Sequence, residues 1–482
     1  MSADETQRPA RRPRLVKSLA LKYLPFADAA SEGFPLSEIL RLSLFQISVG
    51  MATVLLLGTL NRVMIVELFV PAMVVAAMIA LPVLIAPFRA LLGFRSDTHR
   101  SAIGWRRVPF IWFGSLWQFG GLAVMPFALL VLGGDTVYAI PYDGEILAGI
   151  AFLMTGLGIS MTQTAGLALA SDRATDETRP RVVALLYVMF LVGMGVSAII
   201  VGWLLRDFSP LKLIQVVQGA AVLTVLLNVV ALWKQERVRP MSREERAQPR
   251  PTFRDAWADF AKGGQAGRLI AVVALGTLAF NMQDVLLEPY GGEILGLSVS
   301  ATTLLTAAWA AGALVAFALS ARWLAAGRDP YRIAALGLLL GIVAFSAVIF
   351  AAPLESTALF FAGAAGIGLG GGMFAVATLT AAMVMPATGL AGRGLALGAW
   401  GGAQATAAGI AIFAGGTIRD AVAATSLPDT LGPATGYSMV YHLEIALLFA
   451  TLAVLGPLVK LRPYRKHDTT HSPGIGLADL PT

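Results

Sequence analysis

The sequence predicts an all-α membrane protein, with twelve transmembrane helices in two pseudo-symmetric six-helix halves. Three observations carry this expectation. Hydrophobic residues make up 57% of the 482 positions and charged residues only 13%, against about 25% charged in a soluble domain. Twelve apolar stretches approach the ~20 residues that a spanning helix needs. All but four of the 36 Lys and Arg then fall on one side of the membrane when the loops are alternated from an inside N-terminus. The four exceptions are Arg62, Arg206, Lys212 and Arg419. A missed or extra helix would invert half the loops and destroy this asymmetry.

In chain order, residues 1–41 form a basic cytoplasmic arm with Arg8, Arg11, Arg12, Arg14, Lys17, Lys22 and Arg41. No apolar core precedes residue 42, so the arm is not a signal peptide. It either lies on the anionic leaflet, at ~1 kcal/mol per basic residue, or is a solvated tail. Residues 42–233 form the N-terminal half, with spans near 42–61, 69–91, 108–131, 146–170, 181–204 and 211–233. Residues 234–268 form a charged, proline-bearing cytoplasmic linker. Within it Phe253–Ala261 has the pattern of a short interfacial amphipathic helix. Residues 269–460 form the C-terminal half, with spans near 269–288, 300–323, 333–353, 357–385, 394–416 and 438–460, and 461–482 form a cytoplasmic tail. The halves share a weak repeat: Gly58-Thr59-Leu60, Met64 and Pro71 match Gly276-Thr277-Leu278, Met282 and Pro289 in spacing.

Several chemistries are excluded at this stage. Without Cys there is no disulfide, thiol or iron–sulfur chemistry. Four His and no Asp-rich cytoplasmic motif argue against a metal-dependent enzyme. The net charge of +7 follows from topology, so no nucleic-acid partner is expected.

Candidate functional residues fall in four groups. After the second span, Gly93, Asp97, Gly104, Arg106 and Arg107 resemble the cytoplasmic loop motif of the major facilitator superfamily, with several extra residues between Asp97 and Gly104. Asp97 can accept from a helix N-terminus across the two halves. The arginines can meet Asp172, Asp176 or Glu177 after the fourth span. The motif acts either as an interdomain clamp or as a topological anchor. Uncharged stripes form the second group: Gln46, Gly50 and Thr53; Gly114, Gln118 and Gly121; Gly156, Ser160 and Gln163; Gly398, Trp400 and Gln404. Such small and amide residues suit close helix packing. In the seventh span, Asn281, Asp284 and Glu288 fall at i, i+3 and i+7, and Arg62 is their expected partner. They make either a polar site at the outer mouth or a structural ion pair at headgroup level. The last candidate is His442, which alone among the four His lies within a span. It serves either as a ligand or as a bond to a neighbouring helix.

Longer blocks carry a resemblance. Leu42–Met51, Gly58–Leu68, Phe113–Gly120 and Met282–Gly292 resemble signatures of the light-harvesting complex assembly family (LhaA/PucC), the bacteriochlorophyll delivery family of the major facilitator superfamily. The resemblance runs from about residue 20 to 460 and is nearer the LhaA core-antenna branch. It implies an assembly factor for the light-harvesting 1 core antenna, handing bacteriochlorophyll to the antenna α/β polypeptides, with carotenoid as a further cofactor. Implied partners are those polypeptides, reaction centre–core antenna assembly intermediates, bacteriochlorophyll synthase and the membrane insertion machinery. The implied location is the bacterial inner, intracytoplasmic membrane, with both termini cytoplasmic. Pigment candidates are then His442, Gln46, Gln118, Gln163 and Gln404, beside glycine-rich faces such as Gly366, Gly368, Gly370, Gly371 and Gly372. The alternative is a major facilitator secondary transporter of a small molecule or pigment precursor, which would need a strongly polar central site.

Overall fold

A computed structural model describes residues 29–31, 33–85, 107–134, 142–175, 178–235, 264–384 and 393–459. Gly93, Asp97, Gly104, Arg106, Asp176, Glu177 and the expected 253–261 helix lie outside these residues, as does most of the N-terminal arm.

The helices are α1 (Leu36–Glu67), α2 (Ala72–Leu84), α3 (Val108–Leu132), α4 (Asp143–Arg173), α5 (Arg179–Leu204), α6 (Pro210–Leu232), α7 (Gly267–Glu293), α8 (Val299–Ala325), α9 (Pro330–Ala351), α10 (Thr357–Val384), α11 (Arg393–Ala423) and α12 (Thr435–Leu455). Among the described residues, ten helices are long and apolar enough to cross a membrane, so the chain is a multi-pass membrane protein. Of the other two, α2 is a shorter apolar helix and α11 has 31 residues. Local chemistry sets several starts. Ser209 accepts from the Lys212 N–H at 3.2 Å, Ser298 from the Ala301 N–H at 3.2 Å, and Asp329 from the Tyr331 N–H at 2.9 Å. Pro210 and Pro330 follow two of these caps, where a missing N–H costs nothing.

α1 begins earlier than residue 42. Pro35 precedes its first turn, and Arg173 from the end of α4 holds that turn. The guanidinium stacks 4.2 Å above the Phe34 ring and pairs with Glu38 and Gln235. Gln235 in turn donates to the Glu38 carbonyl at 3.1 Å. The described end of the expected arm is therefore part of the N-terminal bundle.

Within each half, glycines bring helix backbones together. A side chain at Gly158 of α4 would strike the backbone of Gln118 in α3. In α10, Gly368 lies against the Trp309 carbonyl of α8, Gly370 against α9 at Gly337, Gly366 against Ala344, Gly372 against Ala316, and Gly371 faces Phe280. The α10 glycines are thus taken up by packing. They do not form an open face for a flat ligand, because each is covered by a neighbouring helix.

The two halves meet along two helix pairs that exchange under the repeat, α2 with α11 and α5 with α8. Gly416 of α11 backs onto Ala72 of α2, and Gly202 of α5 onto Ser300 and Leu304 of α8. At matching places in the weak repeat both first helices leave α geometry. α1 is π-helical over Val54–Leu60 and again over Val63–Glu67, while α7 has a 3₁₀ turn at Met282–Val285.

Candidate functional site

These two irregular stretches face each other across the junction of the two halves. Backbone groups freed inside a membrane must find partners within the protein, and here side chains of one half serve the backbone of the other. Asn61 of α1 donates to the Val285 carbonyl of α7 at 3.0 Å. Arg62 donates to the Leu297 carbonyl at 3.2 Å. The Thr59 and Thr303 hydroxyls lie 3.1 Å apart. Asp420, at the end of α11, accepts from the Met73 N–H at 2.7 Å and so caps the first turn of α2.

The expected partnership of Arg62 with Asp284 or Glu288 is not the one that forms. Arg62 pairs with Glu67, because the π-helical winding of Val63–Glu67 places residues five apart over one another. Glu288 is wrapped instead by α8 and α1. It accepts from the Thr306 hydroxyl, and Gly58 gives its carboxylate room, since a side chain there would collide with it. Gly292 similarly leaves space for the Arg62 guanidinium. Arg62 and Glu288 remain near enough to interact through space without a direct bridge. Asn281 and Asp284 do meet, at 3.1 Å, and Gln283 also donates to Asp284. The 3₁₀ turn then swings Glu288 off their shared face, so the i, i+3, i+7 pattern is broken between its second and third members.

One residue that the sequence reading missed is Glu444. It is wholly buried in α12, and its Oε1 accepts from the Gln283 N–H at 2.7 Å, at the break in α7. The signal was present, since a carboxylate inside an apolar span is costly wherever it falls, and that cost drew attention to Asp284 and Glu288 in α7. A neighbouring cluster joins Arg419 to Glu293, Asp420 and Tyr437.

The remaining candidates separate by exposure. Gln46 and Gln118 are wholly buried inside the N-terminal bundle. Gln118 donates to the Ser48 carbonyl at 3.0 Å, beside a chain in which Ser48 donates to Asn228 at 2.8 Å and Asn228 to Ser115 at 2.7 Å. No macrocycle can reach these two amides, so they do not fit a pigment-ligand role. Gln163 and Gln404 are half-buried. Arg107 pairs with Asp172 at 3.0 Å. That bridge ties α3 to α4 within one half and does not span the halves.

His442 is different. It is exposed on the outer flank of α12, beside the exposed Met439, Leu443 and Phe449. Its Nδ1 lies 2.7 Å from the Ser438 carbonyl. A carbonyl only accepts, so Nδ1 carries the proton, and in the neutral ring Nε2 would be the nitrogen able to take a metal. This second hydrogen bond is the device that fixes the tautomer of a metal-ligating imidazole. An exposed imidazole held in this way on an apolar flank would suit the metal of a magnesium tetrapyrrole, with His442 as the residue that would hold it.

Comparison with known proteins agrees with this architecture. The family model described as PUCC protein matches residues 59–462. An uncharacterized protein encoded in the puhA–bchM intergenic region of Rhodobacter capsulatus is 63% identical, over 97% of this chain and 99% of that protein. Protein PucC of Rhodovulum sulfidophilum is 55% identical, over 84% and 90%. Among solved structures, an inward-facing bacterial homolog of the human lysosomal transporter Spinster aligns with a TM-score of 0.65 at 13% identity, covering 88% of this chain and 97% of that one. The chain thus has the major facilitator fold.

Proposed function

The chain belongs to the PUCC protein family, and we propose on that basis that it is a non-catalytic assembly factor for the bacterial light-harvesting antenna. Near-full-length identity to PUCC relatives is the observation that carries this. In this proposal the protein holds bacteriochlorophyll against its lipid-facing surface and passes it to the α/β polypeptides of the core antenna. A magnesium tetrapyrrole supplies the metal and the macrocycle; the chain supplies one neutral imidazole and an apolar flank. His442 is oriented by Ser438, and Met439, Leu443 and Phe449 exclude water around it. The protein sits in the inner membrane with both termini cytoplasmic, in keeping with the basic asymmetry of its loops.

Deleting the protein from its host tests this proposal. Core antenna should fall while free pigment is still made. Protein purified from a pigment-making host should carry bacteriochlorophyll, and His442→Leu should reduce it or shift its absorbance to the blue. Pigment-free protein together with normal antenna in the deletion strain would overturn the assembly role and restore the transporter alternative.

A further inference from the structure

Two carboxylates that pigment handling leaves without a task stand together at the α7 break. Glu444 and His442 are two residues apart on α12 and point to opposite sides, one into the bundle and the other to its outer flank. Oε1 of Glu444 holds the Gln283 N–H, but Oε2 has no partner. The hydroxyl of Tyr441, one turn back and also wholly buried, has none either. Tyr441 and Asp284 both lie close enough to Glu444 to interact with it electrostatically. Among the described residues, the elements packed around them bring no free cation. From α7 come Asp284 and the ring of Tyr290, 5.6 Å from Tyr441, and from α9 comes Phe345. From α11 comes Gly415, against Met282. Arg419, further along α11, is occupied by Glu293, Asp420 and Tyr437, and Tyr437 of α12 itself binds Glu293 at 2.7 Å.

Two adjacent acids, one wholly and one half buried, with no counter-ion among the described residues, cannot both carry charge cheaply. They titrate as a unit. We propose that Glu444 and Asp284, with the Tyr441 hydroxyl, form a proton-binding site in the C-terminal half whose occupancy controls the α7 break. Asp284 is half-buried while Glu444 has no exposure, so the proton enters by way of Asp284. With one proton on the pair, Glu444 keeps the Gln283 N–H and the turn holds. Loss of that proton leaves two anions face to face, which drives α7 away from α12 at Gln283. Val285 follows two residues on, and its carbonyl leaves Asn61 of the other half. Broken helices of this kind are where membrane proteins place proton and cation sites.

The test uses the full chain in lipid nanodiscs. Infrared difference spectra between acid and alkaline pH should show the C=O stretch of a protonated carboxylic acid. Glu444→Gln should remove that band, and Asp284→Asn should shift or weaken it. Tyr441→Phe, which keeps both carboxylates, should shift it, so a variant survives even where Glu444→Gln fails to fold. Spin labels at the exposed positions Phe69 and Leu431, one in each half at the junction end, should report a broader distance distribution at alkaline pH. In Glu444→Gln the narrow distribution should persist at every pH. A missing band, a band unmoved by all three substitutions, or broadening that survives Glu444→Gln overturns the proposal. So does erasure of the band by added sodium at constant pH, which would make the ligand a metal cation.

Discussion

The interiors of the two halves are polar in different ways. The N-terminal half buries a neutral chain of Ser48, Asn228, Ser115 and Gln118, each without exposure. The C-terminal half buries carboxylates, Glu288 and Glu444, with Asp284 beside them. The neutral chain runs between the regular first part of α1 and helices α3 and α6 inside one bundle and fixes how they pack. The carboxylates stand where α7 stops being regular and where the halves touch. Uncharged amides and hydroxyls suffice to register helices in a membrane. Charge is placed where broken backbone has unsatisfied groups and a partner half must be recognised.

The largest expected effect breaks the charged side of this contrast. Arg62→Ala leaves Glu67 without its bridge, Glu288 without its nearby cation and the Leu297 carbonyl unbonded. Arg62 and Glu288 are buried but Glu67 is open to water, so the loss should lie toward the lower end of the ~3–5 kcal/mol that breaking a fully buried ionic group costs. The thermal midpoint of the detergent-solubilised protein should fall accordingly. Adding Glu67→Gln and Glu288→Gln to Arg62→Ala should recover part of the loss, since no unpaired anion then remains. Strictly additive losses would show that these groups do not act together.

A smaller effect is expected in the neutral network. Asn228→Ala removes the bridge between Ser48 and Ser115. Both hydroxyls, however, already have local acceptors, the Phe45 carbonyl at 2.9 Å and the Ile111 carbonyl at 2.7 Å. The loss should stay at about 1–3 kcal/mol, below that of Arg62→Ala in the same assay. A loss as large as Arg62→Ala would erase the distinction between the two interiors.

How much of this was readable in the sequence follows the same divide. Helices announce themselves through hydropathy, so 108–131 became Val108–Leu132, 211–233 became Pro210–Leu232, and 357–385 became Thr357–Val384. Side-chain partnerships were readable only where the backbone keeps its ideal period. Asn281 and Asp284 meet as i and i+3, whereas Arg62 finds Glu67 because α1 winds as a π-helix there, and Glu288 is turned aside by a 3₁₀ turn. No propensity in Val63–Glu67 or Met282–Val285 marks those departures; they are imposed by the contact between halves. The amide stripes show a different limit. Gln46 and Gln118 have the same spacing whether a helix face meets protein or lipid, and only the tertiary arrangement puts them inside.

The smallest expected effect concerns the seam itself, at Thr59 and Thr303. Thr303 already donates to the Val299 carbonyl at 2.9 Å, so its one proton is used and Thr59 is the donor across the 3.1 Å gap. Thr59→Val therefore leaves the Thr303 oxygen with its own bond and removes only the link between halves. Thr303→Val leaves the Thr59 hydroxyl free to turn to a carbonyl of its own helix. Neither change strands a charge or opens a cavity, because valine and threonine have nearly the same shape. The coupling in a double-mutant cycle should thus be about 0.6 kcal/mol, the usual scale of a neutral hydrogen bond between membrane helices. Its value sharpens the contrast between neutral and ionic contacts, because this neutral bond crosses the halves as the charged groups Arg62 and Asp420 do when they reach the Leu297 carbonyl and the Met73 N–H. A coupling comparable with the several kcal/mol expected for Arg62 would place the strength of the junction in its location. A coupling near 0.6 kcal/mol places that strength in the charges beside the α7 break.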